Sequence, residues 1–147
     1  MTTIAFIFTR GRSKGLPGKN IRLFGGEPLI AWPIQHAQAV KRLSRMIVST
    51  DSQEIAAVAQ QYGAEAPFIQ PAELAQNDSP EWLAWRHALN YLRETTDMLQ
   101  EVMDSVPATA PLHLPLDVEN CLDEYEGSGA EVVITVTNAR RNLTSIL

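Results

Sequence analysis

An unbroken apolar run, Ile4-Ala5-Phe6-Ile7-Phe8, passes almost directly into a loop, Arg10 to Asn20, that carries three glycines, one proline and no acid. Uninterrupted apolar character marks a strand buried on both faces, as in parallel sheets covered by helices. The loop adds a second constraint. Arg10, Arg12, Lys14, Lys19 and Arg22 put five positive charges into thirteen residues of a chain whose formal net charge is −5, and the first acid is Glu27. A glycine-rich cationic loop at a strand end suits a polyphosphate. Backbone N–H groups approach closely where Gly has no side chain, and Lys and Arg neutralise charge. The acidity of the whole chain argues against nucleic acid as a partner, so the basic cluster points to a small anion.

Short apolar segments alternate with helical patterns along the rest of the chain. Pro28 to Arg42 reads as a helix with the stripe Leu29, Ile30, Ile34, Ala37 and Val40, and Pro33 marks its start or a kink. Met46 to Val48 reads as a second strand. Ser52 to Tyr62 reads as a helix, with Asp51 and Glu54 at capping-box spacing and Gly63 placed to end it. Pro67 to Ile69 is a short strand at best. Pro80 to Thr95 reads as a helix begun by Ser79 with proline at its first position. Val102 to Val106 reads as a strand and Leu116 to Tyr125 as a helix. The loop Gly127-Ser128-Gly129 follows, and then a fifth strand over Val132 to Val136.

This alternation predicts one α/β domain over residues 1–147, with a mainly parallel sheet covered on both faces in three layers. Ligands of such sheets bind outside the carboxyl ends of the strands. The basic loop, Ser49-Thr50-Asp51 and Pro107 to Pro111 all fall at that edge. A chain of 147 residues buries roughly 68–70% of its unfolded surface. No apolar run approaches the roughly 20 residues needed to span a bilayer, and the N-terminus lacks the basic start and cleavage site of a secretory signal. Cys121, the single cysteine, has no internal disulfide partner, which fits a reducing compartment. The expectation is a cytoplasmic protein with no membrane partner.

Two phosphate motifs fail. A P-loop ending at Gly18-Lys19 needs glycine where Ser13 stands and Ser or Thr where Asn20 stands; a dinucleotide fingerprint starting at Gly11 needs glycine, again at Ser13. The cradle is of another kind. Arg10-x-x-Ser13-Lys14-Gly15-Leu16-Pro17-Gly18-Lys19-Asn20 after an apolar strand resembles the N-terminal signature of the CMP-sialic acid synthetases (acylneuraminate cytidylyltransferases). Ile47 to Ser52, Tyr62 to Glu65, Pro71 to Ala75 and Pro107 to Leu112 resemble further family segments in order and spacing.

The resemblance implies a three-layer Rossmann-like nucleotidyltransferase fold and a reaction. The anomeric hydroxyl of a sialic-acid-like nonulosonic acid attacks the α-phosphate of CTP, with Mg²⁺, and pyrophosphate leaves. Carried over by position, Arg10 and Lys14 are the catalytic cations, and Gly11, Ser13, Lys14, Lys19 and Asn20 hold the triphosphate. Ser79 matches a family position near the base and suits a helix cap equally well. Arg12 stands where the family often has glycine and reads as surface charge; Asp51 reads as a helix cap rather than a ligand; Trp82 and Trp85 read as core packing, and His36 and His87 as surface or core-edge residues.

The family often has Arg, Gln and Arg where this chain has Gln70, Pro107 and His113, which bears on nucleotide affinity and choice. Asp104 and Ser105 replace apolar residues in their strand. An unpaired carboxylate in a central strand is expensive, so this strand is either partly exposed or gives Asp104 a partner. The family's metal-binding aspartates, sugar pocket and dimerisation segment fall beyond residue 147, so the chain reads as C-terminally shortened, with Mg²⁺ ligands outside it. Arg140-Arg141-Asn142 resembles the start of the sugar-contact region, and the resemblance implies a homodimer. The main expectation is cytidylyl transfer to a nonulosonic acid. The alternatives are a shortened non-catalytic nucleotide-binding or regulatory relative, or a nucleotidyltransferase for another sugar or nucleotide.

Overall fold

Four of the five apolar residues of the first strand, Ile4 to Ile7, are buried and Phe8 is half-buried, but not all against the same neighbours. In the computed structural model, which describes residues 2–13, 15–96 and 102–136, strand β1 runs Thr3–Thr9. Ile4 and Phe6 point to one face and pack with Ile47, Ala88 and Leu92. Ala5 and Ile7 point to the other, among Ile30, Ile34, Val48, Ile55 and Ala59. Side chains alternate along a strand, so only a strand with helices on both sides has use for an unbroken apolar run.

Strand β4 (Leu43–Thr50) and strand β5 (Val102–Ser105) flank β1, and both pair with it in parallel, giving the order β4-β1-β5. Helices α1 (Ala31–Gln38) and α2 (Gln53–Gln61) contribute to one layer, and α3 (Glu81–Thr95) to the other. Helix α4 (Pro115–Ser128) packs Val118 and Leu122 against Val40 and Val102. Burying one such side chain stabilises by roughly 1.5–3 kcal/mol. The three-layer, mainly parallel α/β architecture is therefore as expected.

Several boundaries differ. The first helix starts at Ala31, because Pro28 belongs to a hairpin of β2 (Leu23–Phe24) and β3 (Glu27–Pro28). Gly25 and Gly26 turn it with φ of 61° and 91°, the double positive φ of a tight hairpin turn. Pro33 then sits in the first turn of α1, where its missing N–H costs nothing. Gly63, with φ 88°, ends α2 as expected. Helix α4 runs through Gly127 and Ser128 and ends at Gly129.

The cap of α2 is Ser52, not Asp51: the Ser52 hydroxyl accepts from the Ile55 N–H at 3.3 Å. Asp51 lies one residue too early. Ser52→Ala is expected to cost about 1 kcal/mol, read as a lower urea midpoint at unchanged m. Ser79 is not the cap of α3 either. The helix starts after Pro80, and the Ser79 hydroxyl donates to the Glu73 carbonyl at 2.7 Å.

Two expected strands do not form. Pro67 to Ile69 joins no ladder; an isolated parallel bridge, Ile47 to Glu65, is what that segment leaves on the sheet. Val132 to Val136 has no regular structure, with Val132, Ile134 and Val136 at 76%, 73% and 83% exposure. Its β-branched residues favour a strand only where a neighbouring ladder can pair with them, and β5 remains an edge strand. Among the described residues no helix is long and apolar enough to cross a membrane.

Candidate functional site

Because all three strands of the main sheet are parallel, their carboxyl ends open on one edge. A cleft of about 590 Å³ lies there. Phe8, Thr9 and Arg10 enter it from the end of β1, and Ala108 and Thr109 from beyond β5. Arg12, Ser13, Gly15, Lys19 and Asn20 of the basic loop line the same cleft. The opposite wall is built from Gln76, Asn77, Ser79 and Glu81, between the short 3₁₀ turn Ala72–Ala75 and the start of α3.

The loop is held at both ends. Asn20 is buried, and its amide donates to the Thr9 hydroxyl and, at 3.1 Å, to the Arg10 carbonyl. The Gly11 N–H donates to Asp51 Oδ1 at 2.7 Å. Gly11 also needs to lack a side chain: an added Cβ would sit 2.9 Å from Ser52 Cβ. Arg10 reaches across the cleft, donating from Nη1 to the Gln76 carbonyl at 2.8 Å. Gln70 is buried at the floor, where its backbone N–H donates to the Thr50 carbonyl at 2.8 Å.

The structure thus brings Arg10, Ser13, Lys19, Asn20 and Ser79 of the expected site together. Gly11 stands behind the loop, against β4 and α2, and does not line the cleft. Lys14 and Arg140 to Asn142 lie outside the described residues. Arg12 is exposed, as its reading as surface charge expects, and it also lines the cleft. The rule that ligands bind at strand ends already pointed to Thr109. Gln76, Asn77 and Glu81 carry no local signal, since a long-range turn of the chain brings them opposite the basic loop.

For the Mg²⁺ implied by the resemblance, the cleft offers one carboxylate among the described residues. Glu81 is the lone carboxylate lining the cleft, and among the described residues no group of three His, Cys, Asp or Glu side chains is placed to hold a metal ion.

Outside the cleft, Trp82 is corrected from core to surface: it is 52% exposed, with the Arg86 guanidinium 4.9 Å from its ring centre. Trp85 is half-buried, tilted against Phe8 at 6.3 Å. His87 sits at the core edge against Phe68, and half-buried His36 against Trp32. A second cavity, about 550 Å³, runs along the open edge of β5 between Asp104, His113, Cys121 and the 131–135 segment. Burial raises the Asp104 carboxyl above its ordinary range, with His113 partly opposing, and burial likewise raises the Cys121 thiol. Pro107 and His113 belong to this edge and not to the basic cleft.

A family model described as Cytidylyltransferase matches residues 4–112. A CMP-N,N'-diacetyllegionaminic acid synthase of Campylobacter jejuni subsp. jejuni is 38% identical over 136 residues, which is 92% of this chain and 58% of that protein. One of the same name from Legionella pneumophila subsp. pneumophila is 34% identical over 133 residues, 90% of this chain and 57% of that protein. The chain therefore spans less than two thirds of the length of these curated relatives. Among solved structures, a CMP:2-keto-3-deoxy-manno-octonic acid synthetase complexed with CTP shares the fold. Its TM-score is 0.72 at 19% identity, over 88% of this chain and 49% of that one. Sequence match and shared fold lead to one assignment: this chain belongs to the cytidylyltransferase family.

Proposed function

We propose that this chain binds CTP in the cleft at the end of β1 and takes part in transferring its cytidylyl group to a nonulosonic acid. One observation carries the reading: Arg10, Arg12, Ser13 and Lys19 converge on a single concavity at the carboxyl edge of a parallel sheet. The names of the relatives supply the substrate class, since they act on legionaminic, pseudaminic and neuraminic acids.

In the reaction, a sugar hydroxyl oxygen bonds to the α-phosphorus and the bond from that phosphorus to the bridging oxygen of pyrophosphate breaks. The hydroxyl proton is lost and pyrophosphate leaves. Positioning and charge stabilisation dominate such transfers. Arg10 and Lys19 neutralise the departing pyrophosphate, and Lys14 the charge near the α-phosphate. Ser13 and Asn20 hold the triphosphate, and Ser79 lies towards the base. Gly11 supplies the close-packed bend behind the loop.

A panel of CTP, UTP, GTP and ATP tests the nucleotide by thermal shift, and CTP is expected to raise the midpoint most. Pyrophosphate release with a nonulosonic acid tests the transfer. Gln70 favours a second reading, a nucleotide binder without turnover, because it puts a buried neutral amide on the cleft where the resemblance implies a cation. CTP binding with no pyrophosphate release would decide for it.

A further inference from the structure

Asp51 is a carboxylate set close to a site built for anions, and it caps no helix. Ser52 does that work, through its 3.3 Å contact with the Ile55 N–H. Asp51 instead accepts the Gly11 N–H at 2.7 Å, across forty residues of sequence. It does not line the cleft. Gly11 is the only residue between Arg10 and Arg12, both of which do. The carbonyl of that same Arg10–Gly11 peptide points the other way and accepts from the Asn20 amide at 3.1 Å. The backbone that carries both arginines is thus pinned from two directions, by Asn20 within the loop and by Asp51 from the turn between β4 and α2.

We propose that Asp51 is the positioning residue of the phosphate cradle: by holding the Gly11 N–H it aims Arg10 and Arg12 into the cleft. This rests on the CTP-binding reading above. Gly11 supports it independently. There is no space for a Cβ at that position, because the loop is seated hard against Ser52. A flexible loop aims no charge, since ordering each rotamer-rich side chain on binding costs affinity. An anchored loop has already lost that freedom.

Positioning and simple electrostatics predict opposite signs, which makes the idea testable. If Asp51 acted only through its charge, deleting a carboxylate near an anion site would tighten nucleotide binding. If it anchors the loop, deletion loosens binding, and asparagine, which keeps the acceptor oxygen and drops the charge, restores it.

The experiment is calorimetric titration of CTP into the parent chain, Asp51→Ala and Asp51→Asn, with thermal midpoints measured in parallel. Asp51→Ala is expected to bind about tenfold more weakly, the size of one lost hydrogen bond. Asp51→Asn is expected to stay within about threefold of the parent. Equal or tighter binding by Asp51→Ala overturns the inference, and so does an Asp51→Asn variant no better than Asp51→Ala. Should Asp51→Ala fail to fold, Gly11→Ala decides: it pushes the loop off the same anchor, and undiminished affinity there overturns the inference. A parent chain that binds no CTP brings down the functional reading and this inference together, a result distinguishable because the loss is then in the unsubstituted protein.

Discussion

Arg10→Ala combined with Lys19→Ala is expected to weaken CTP binding by about a hundredfold or more. Hydrogen bonds to charged groups contribute about 1.5–3 kcal/mol each, and tenfold in affinity is about 1.4 kcal/mol. Arg10 is expected to contribute less than its full share, because turning to a phosphate would cost it the 2.8 Å contact with the Gln76 carbonyl. Lys19 lies in the short turn Lys19–Ile21 with no such contact to give up among the described hydrogen bonds. Both residues stand on the surface loop rather than in the core, so the fold should survive. Calorimetry at low and high salt checks the result: the parent should lose affinity as salt screens its cations, and the double variant should lose less. An unchanged dissociation constant would mean that the cleft is not the phosphate site.

The second large effect is on stability. Asp104 pairs with Ala5 in the β5–β1 ladder, and its Oδ2 is buried without a hydrogen-bond partner among the described residues. Asp104→Leu is expected to stabilise the fold by about 1–3 kcal/mol at pH 8, since it removes an uncompensated buried polar group and adds apolar contact. The pH dependence has a definite sign. Burial raises the folded-state affinity of this carboxyl for its proton. Between the ordinary carboxyl value and the raised one, the folded state therefore binds more protons than the unfolded state. Stability falls as pH rises through that window. The leucine variant should lack this slope, and denaturant titrations at pH 4.5 and 8 would show it. A leucine variant less stable than the parent at pH 8 would mean that Asp104 is paired or solvated.

Asp104 also shows which of two sequence expectations held. Its strand is partly exposed, because β5 forms the sheet edge. Val132 to Val136, whose pattern reads as a strand, does not pair with that edge.

Residue periodicity alone determined the class of this protein. The unbroken apolar run of β1 requires cover on both faces, and alternation of strand and helix then requires a parallel sheet. The cationic loop was equally plain, because charge and glycine content are local properties of the chain. Tertiary structure alone decided what faces that loop. Gln76, Asn77 and Glu81 form the opposite wall, Arg12 lines the cleft while remaining exposed, and Asp51 gives up its expected cap to hold Gly11. Local sequence could not show this, because a hydrogen bond across forty residues is selected by how layers pack, and either acceptor at the start of α2 satisfies local helix chemistry. Only packing against β1 sets Ser52 to the helix and Asp51 to the loop.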